Sequence, residues 1–233
     1  MIDIHSHFLH CVDDGSSSIE DSLFILKQEL SYGISDVVLT PHFRQGMFET
    51  SIETIKKRFE ELKVRISSEN INLNLYLGQE VYIQSINHFR SLFGKPNMQI
   101  INMNDTNYAL LEFSYTEYID ILEIVHLAKV YKLIPIIAHV ERYEYLGIED
   151  IYNIKVNGGL IQINASSIVG DDGIKAKKFV KKLITNNLVD FVASDMHYGR
   201  TNFLKEAYDY SLKHFDNEIV DNIFNKNAKA LLK

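Results

Sequence analysis

MIDIHSHF, residues 1–8, is a short apolar run that delivers two histidines two positions apart. In an extended strand, residues i and i+2 point to the same side, so His5 and His7 can grip one ion. The same pairing of a β-rich apolar run with a metal-binding group at its end recurs along the chain. The predicted strands are Ile2–His5, Asp36–Thr40, Leu73–Gly78, Tyr108–Glu112, Ile134–Ala138, Leu160–Asn164 and Val189–Ala193. The second runs into Thr40-Pro41-His42, the third into Gln79-Glu80 and the seventh into Asp195-Met196-His197; the fourth ends at Glu112 and the fifth at His139. Only the sixth ends in a group of another kind, Asn164.

Most of these runs are continuously hydrophobic, which suits strands of a parallel sheet buried on both faces. Helical patterns lie between them, over Ile19–Tyr32, Ser51–Ser67, Glu117–Tyr131, Gly173–Asn186, Thr201–Phe215 and Glu218–Leu232, with a shorter helix in 148–157. Gly33 sits where a C-cap glycine belongs. Region 84–106, with Gly94, Pro96 and several asparagines, reads as a loop with a short helix. A repeated β–α pattern allows an open doubly wound sheet or a closed barrel. No GxGxxG or GxxxxGK[ST] occurs, so neither nucleotide fingerprint supports the open sheet. A barrel places every strand's C-terminal end on one rim, where ligands scattered from residue 5 to residue 197 converge. Imidazoles and carboxylates together suit manganese, iron or zinc better than calcium or magnesium. Glu80 and Asp195 can each bridge two ions.

Composition bounds the remaining choices. The 233 residues are 46% hydrophobic and 24% charged, with three prolines and no linker-like stretch, so one domain spanning 1–233 is expected. A net charge of −7 does not advertise a nucleic-acid footprint. The basic stretch Lys175–Lys182 reads as the solvated face of a helix. Cys11 is the single cysteine, the N-terminus lacks the basic and apolar regions of a signal peptide, and no run reaches the ~18 apolar residues of a membrane span, so a cytoplasmic protein without membrane insertion is expected. His88, His126 and His214 are assigned structural or surface roles, His10 no role, and Cys11 that of a plain thiol near the rim.

The opening MIDIHSHFLHCVDDGSSSIEDS (1–22) resembles that of the PHP (polymerase and histidinol phosphatase) superfamily, and most of all the bacterial protein-tyrosine phosphatases of capsule and exopolysaccharide operons. The similarity continues through LTPHFRQGMF (39–48), LGQEVY (77–82), YALLEF (108–113), IAHVERY (137–143), QINASSIVG (162–170) and VASDMH (192–197). It implies a distorted seven-stranded TIM-like (β/α) barrel, the PHP fold, with three divalent ions, manganese first and iron or zinc as alternatives. It implies His5, His7, Glu80 and Asp195 around the first ion, Glu80, Glu112 and His139 around the second, and Asp14, His42 and His197 around the third. Asp14 enters through the resemblance alone. The resemblance also implies Arg142 and Arg200 as phosphate clamps, His197 or a bound water as general acid, and phosphotyrosine hydrolysis by metal-activated hydroxide. The implied protein substrate is the tail of a tyrosine autokinase regulating capsular or extracellular polysaccharide synthesis. Two departures stand beside the site. DMHYGRTNF (195–203) is shorter than the family's loop and lacks its proline, and His10-Cys11 replaces the usual Pro-Gly. The alternatives are a small-molecule phosphoesterase such as a histidinol-phosphate phosphatase, a proofreading nuclease module, which the acidic charge disfavours, and a catalytically silent regulatory protein, against which all nine filled ligand positions argue.

Overall fold

The apolar runs form strands and the amphipathic runs helices, in near-strict alternation. A computed structural model describes residues 1–94 and 100–232. In chain order the elements are β1 (Ile2–Ser6), α1 (Ile19–Ser31), β2 (Asp36–Leu39), β3 (His42–Phe43), α2 (Ile52–Ser68), β4 (Asn74–Leu77), β5 (Glu80–Tyr82), α3 (Ile86–Phe93), β6 (Tyr108–Glu112), α4 (Ile121–Val130), β7 (Ile134–Ile137), α5 (Ile148–Val156), β8 (Leu160–Asn164), α6 (Ala165–Val169), α7 (Ile174–Thr185), β9 (Phe191–Ala193), α8 (Leu204–His214), α9 (Asn217–Asp221) and α10 (Asn227–Leu231). Pro96 lies outside the described residues; the short helix expected in that region is α3, capped by the Ser85 side chain.

All strand pairing between these elements is parallel, in the orders β1-β2-β4 and β3-β5-β6-β7-β8-β9. Among the described residues there are therefore nine strands, where the sequence predicts seven. The reason is local. The runs 36–40 and 73–78 each stop at a leucine and resume two residues later as β3 and β5. Pro41 has no N–H to give to a ladder, and at Gly78 a side-chain Cβ would lie 2.7 Å from Met103 Sδ. Hydrogen bonds from Gly78 N to Leu39 O (2.9 Å) and from Glu80 N to Pro41 O (3.2 Å) carry the pairing across the interruption. At the far edge Ser6 and Met196 form a single parallel bridge, with His7 N donating to Met196 O (3.0 Å) and Asp195 N to His5 O (2.9 Å). The sheet is thus curled, bringing the first and last strands together at the ends that carry histidines and aspartate.

Helix bounds follow the capping side chains. Ser18 and Ser51 start α1 and α2, and Asp120 starts α4 four residues after the expected Glu117, because its carboxylate accepts from Glu123 N. Gly33 ends the first helix with φ +80°, as a C-cap glycine does. The expected last helix, 218–232, is present as α9 and α10, joined without a break by a π-helical turn over Asn222–Lys226.

Alternation along the strands divides the core in two. Ile2, Ile4, Val38, Leu110, Ile136, Ala138, Phe191 and Ala193 pack with Ala228 and Leu231 of α10. Val37, Leu39, Leu111, Ile137, Ile161, Ile163 and Val192 belong to the larger cluster beneath the helices. Both strand faces are dry, which is why the strands read as unbroken apolar runs rather than alternating ones. Ile136 is fully buried in the smaller cluster. Ile136→Ala is expected to lower unfolding free energy by about 2–5 kcal/mol, seen as a lower urea midpoint at unchanged slope.

Candidate metal centre

Most site residues lie at an end of a strand or just beyond it, and Asp14 lies in the segment between β1 and α1. His5 and His7 flank the end of β1, His42 opens β3, Glu80 opens β5 and Glu112 closes β6. His139 and Asp195 follow β7 and β9 in left-handed backbone conformations, φ 32° and 48°. Such conformations cost energy for residues with a Cβ and persist only where packing dictates them. Here they turn the chain at the strand end and aim the side chain inward. Asp14 comes from the Asp13-Asp14-Gly15 turn. A Cβ at Gly15 would lie 1.9 Å from His7 O, so only glycine lets this turn press against the first strand.

Glu80 is the hub. Its Oε2 lies 3.2 Å from His5 Nε2, 3.3 Å from His7 Nε2 and 2.9 Å from His42 Nδ1, while Oε1 lies 2.9 Å from His139 Nε2. Asp195 Oδ1 stands 3.5 Å from both His5 Nε2 and His7 Nε2. Asp14 Oδ1 faces His42 Nε2 at 3.6 Å and His197 Nε2 at 3.4 Å. Three groups of mutually close donor atoms result: His5, His7, Glu80 and Asp195; His7, Asp14, His42 and His197; and His42, Glu80 and Glu112. The first matches the expected first set and the second adds His7 to the expected third. In the third group His42 stands where His139 was expected. His139 meets Glu80 but remains 3.9 Å from Glu112 Oε1.

The histidines are prepared as lone-pair donors toward the centre. His7 Nδ1 lies 2.8 Å from Asp13 Oδ2, and His197 Nδ1 3.2 Å from the Asp195 carbonyl. Both partners can only accept, so each Nδ1 carries a proton and Nε2 is the nitrogen turned toward the centre. His5 Nδ1 meets Gln162 Oε1 at 3.1 Å, and the His139 backbone N–H donates to that same oxygen at 2.9 Å, which fixes it as an acceptor. His139 Nδ1, Glu80 Oε2 and Glu112 Oε2 are buried without a hydrogen-bond partner. Buried lone pairs and carboxylate oxygens without donors are the arrangement that cations complete.

Electrostatics point the same way. Burial raises the Glu80 carboxyl, but the charges of His5 and His42 and a hydrogen bond with His139 hold it well below the usual range. Asp195 is likewise raised by burial and lowered further by His5, His7 and Arg142. Glu112 is pushed up, first by burial and then by neighbouring Glu80. Burial and the His7 charge bring His197 down to about 4. Five carboxylates gather here, Asp13, Asp14, Glu80, Glu112 and Asp195, and among the described residues one guanidinium pairs with any of them: Arg142, whose Nη1 donates to Asp195 Oδ2 at 2.6 Å.

Arg200 is exposed; its backbone N–H donates to His197 O at 3.2 Å, and no carboxylate among the described residues pairs with its side chain. The sequence reading missed Asp13, Gln162, Asn164 and Tyr115. Asn164 Nδ2 donates to Asp195 Oδ2 at 2.9 Å, and Tyr115 Oη to Glu112 Oε1 at 2.9 Å. A glutamine inside the apolar run LIQIN was a visible signal, because a buried amide must find partners. Of the histidines given other roles, His88 Nδ1 accepts from Gln84 N, His126 meets Asn157, His214 meets the Tyr210 carbonyl and His10 lies 3.5 Å from Glu61. Cys11 is exposed.

The family described as capsular polysaccharide synthesis, CpsB/CapC, matches residues 1–233. The chain is 35% identical over 240 residues to the putative tyrosine-protein phosphatase CapC of Staphylococcus aureus, covering 100% of this chain and 91% of the relative. It is 35% identical over 247 residues to the tyrosine-protein phosphatase CpsB of Streptococcus agalactiae, covering 100% and 98%. A solved structure described as YwqE from Bacillus subtilis and CpsB from Streptococcus pneumoniae, unique metal-dependent tyrosine phosphatases, superposes with TM-score 0.89 at 30% identity, covering 100% of this chain and 94% of that one. A histidinol phosphate phosphatase from Lactococcus lactis shares the fold alone, with TM-score 0.56 at 12% identity over 93% and 95%.

Gln162 holds one imidazole tautomer and one strand-end backbone at once. Gln162→Leu keeps the bulk and removes both bonds, and is expected to weaken divalent-ion binding about 10–100-fold. Isothermal titration with manganese measures this; unchanged affinity would show that Gln162 does not support the centre.

Proposed function

The chain belongs to the CpsB/CapC capsular polysaccharide synthesis family, and we infer that it is a metal-dependent protein-tyrosine phosphatase. It is a hydrolase acting on phosphotyrosine. The observation that carries this reading is the Glu80 carboxylate, both of whose oxygens face imidazole nitrogens at the meeting point of β1, β3, β5 and the turn after β7.

We read the curled sheet as a distorted β/α barrel, one domain over 1–233, with the centre on its C-terminal rim. The residues fit divalent ions: the Nδ1 atoms of His5, His7 and His197 are held from behind by acceptors, and carboxylates outnumber guanidinium and ammonium groups. On this reading His5, His7, Glu80 and Asp195 would hold one ion, Asp14, His42 and His197 with His7 a second, and Glu80 and Glu112 with His42 or His139 a third. Manganese suits the mixed imidazole and carboxylate donors, as do iron and zinc. Bound ions supply the Lewis acidity that makes water nucleophilic near neutral pH and offsets phosphoryl charge.

The chain's own residues do the rest. Arg142 spends one N–H on Asp195, which anchors its guanidinium beside the centre and leaves the other donors for phosphoryl oxygens. Tyr115 holds Glu112 from the opposite side, with its ring edge-on to His139 at 5.8 Å between centroids. Arg200, tied to His197 through its backbone, is read as a second, more mobile clamp. His197 places both nitrogens against fixed partners, so a ligand role suits it better than the general-acid role. The tyrosinate leaving group has a pKa near 10 and needs modest help to depart.

Family membership supports a protein substrate in polysaccharide synthesis, and we take it to be the tyrosine-rich tail of a bacterial autokinase. Among the described residues no helix is long and apolar enough to cross a membrane. A cytoplasmic location agrees with that substrate and with the lone cysteine.

Chelation is expected to abolish hydrolysis of p-nitrophenyl phosphate and of phosphotyrosine peptides, and added manganese to restore it. His5→Ala combined with His7→Ala is expected to lower kcat/KM by roughly 100-fold or more. Activity that survives both treatments would overturn the reading.

A further inference from the structure

Arg142 and Tyr115, which flank the metal centre, also form one end of a cleft of about 790 Å³ that runs away from it along α7. The cleft has two chemical zones. Its floor is apolar, from Tyr143, Leu146, Ile148 and Phe179, and its far wall carries Lys175, Lys178 and Lys182. These lysines are exposed and spaced i, i+3 and i+7, so they stand on one face of the helix.

The helix is unusual within this acidic chain. Its sequence, IKAKKFVKKLIT, contains five lysines and no carboxylate. Lys27, Lys57, Lys63, Lys155, Lys205 and Lys226 each meet an acid within 4.0 Å. Among the described residues no carboxylate pairs with any lysine of α7. Lys177 alone turns back onto the protein, donating to Val169 O at 2.9 Å and lying over the Tyr210 ring. The acids that line the cleft are mostly engaged elsewhere: Glu141 accepts from Asn164 N and the Ser167 hydroxyl, and Asp172 accepts from Ser166 and Ser167. Glu144 is the third acid of the lining, and among the described residues none of the three pairs with a lysine of the helix. Lysine charge without an ion-pair partner, beside an apolar floor and leading to Arg142, complements an extended anionic chain.

We propose that this cleft seats the acidic peptide segment flanking the phosphotyrosine of a protein substrate, and so selects substrates by sequence around the scissile group. The proposal rests on the phosphatase reading for its biological meaning, but binding tests it without catalysis. The probe is a fluorescein-labelled peptide with several glutamates beside an unphosphorylated tyrosine; the control carries glutamines instead. Anisotropy titrations of the full chain are expected to show about tenfold tighter binding of the acidic peptide, fading with added salt. The triple variant Lys175→Glu, Lys178→Glu, Lys182→Glu is expected to lose that preference, and the milder triple Gln variant most of it. Both are expected to hydrolyse p-nitrophenyl phosphate like the parent, because none of the three lysines touches the centre. Equal binding of the two peptides by the parent, or a preference that survives the charge reversal, overturns the proposal. Selective binding by a parent chain that hydrolyses no aryl phosphate would uphold the cleft and overturn the phosphatase reading.

Discussion

The structure depends on keeping a fully buried carboxylate charged. Glu80 has no solvent exposure, and burying an isolated carboxylate is prohibitive unless opposite charge or protonation relieves it. Four imidazole nitrogens surround its two oxygens. Those imidazoles are themselves buried or nearly so, and His5 and His7 are aimed by hydrogen bonds on their far sides, to Gln162 and Asp13. Cations between them and the carboxylates would satisfy both classes of group at once. The same constraint explains the interruption of two strands. β2 and β4 each break before the residue that must enter the centre, and the broken chain re-pairs as β3 and β5 with His42 opposite Glu80 in register. An unbroken strand would have kept its alternation and could not shift its side chains at this point.

The closing edge obeys the same logic. Only one bridge joins Ser6 to Met196, yet it is flanked by bonds from His7 N and Asp195 N that tie the two ligand-bearing ends directly to each other. Beneath them Asp3, also fully buried, accepts from Ser194 N, from the Ser194 hydroxyl and from His5 N. Burial raises this carboxyl, and those bonds work against the rise. Polar contacts beside these residues, rather than a long ladder, therefore hold the two edges of the curled sheet together. Left-handed backbone at His139 and Asp195 stores strain beside the same contacts.

How much of this was readable in the sequence varied with the kind of interaction. Strand positions were legible because both sheet faces are dry, and the unbroken apolar runs of β6, β7 and β8 fall where the pattern put them. The ligand types at strand ends followed from those positions. Residues that act through backbone or tautomer were harder to see. Asp13 sits in a turn whose geometry depends on Gly15 touching His7, a contact with no periodic signature. Tyr115 reaches Glu112 from a loop. The strand breaks at Pro41 and Gly78 were visible as residue types, but their outcome, a second short strand in register with a different neighbour, is set by tertiary packing. His42 and His139 show the limit most clearly, since strand-end spacing groups both with the other candidate ligands but cannot decide which of them approaches Glu112.

Alpha7 illustrates how a bland sequence reading can be locally right and globally incomplete. Lysines at 175, 178 and 182 do face solvent, as the spacing of a surface helix requires. What the spacing could not convey is that this solvent fills a cleft ending at Arg142, or that the helix supplies no acid of its own. In a chain of net charge −7, unpaired positive charge concentrated on one helix is a local exception. A buried cluster of carboxylates repels an anionic substrate unless bound cations offset its charge. A cationic wall leading to that cluster would offset part of this repulsion along the approach, and its effect would be largest for the substrates that carry the most negative charge. The acidity of the centre and the basicity of its neighbouring wall are in this sense two parts of one electrostatic arrangement.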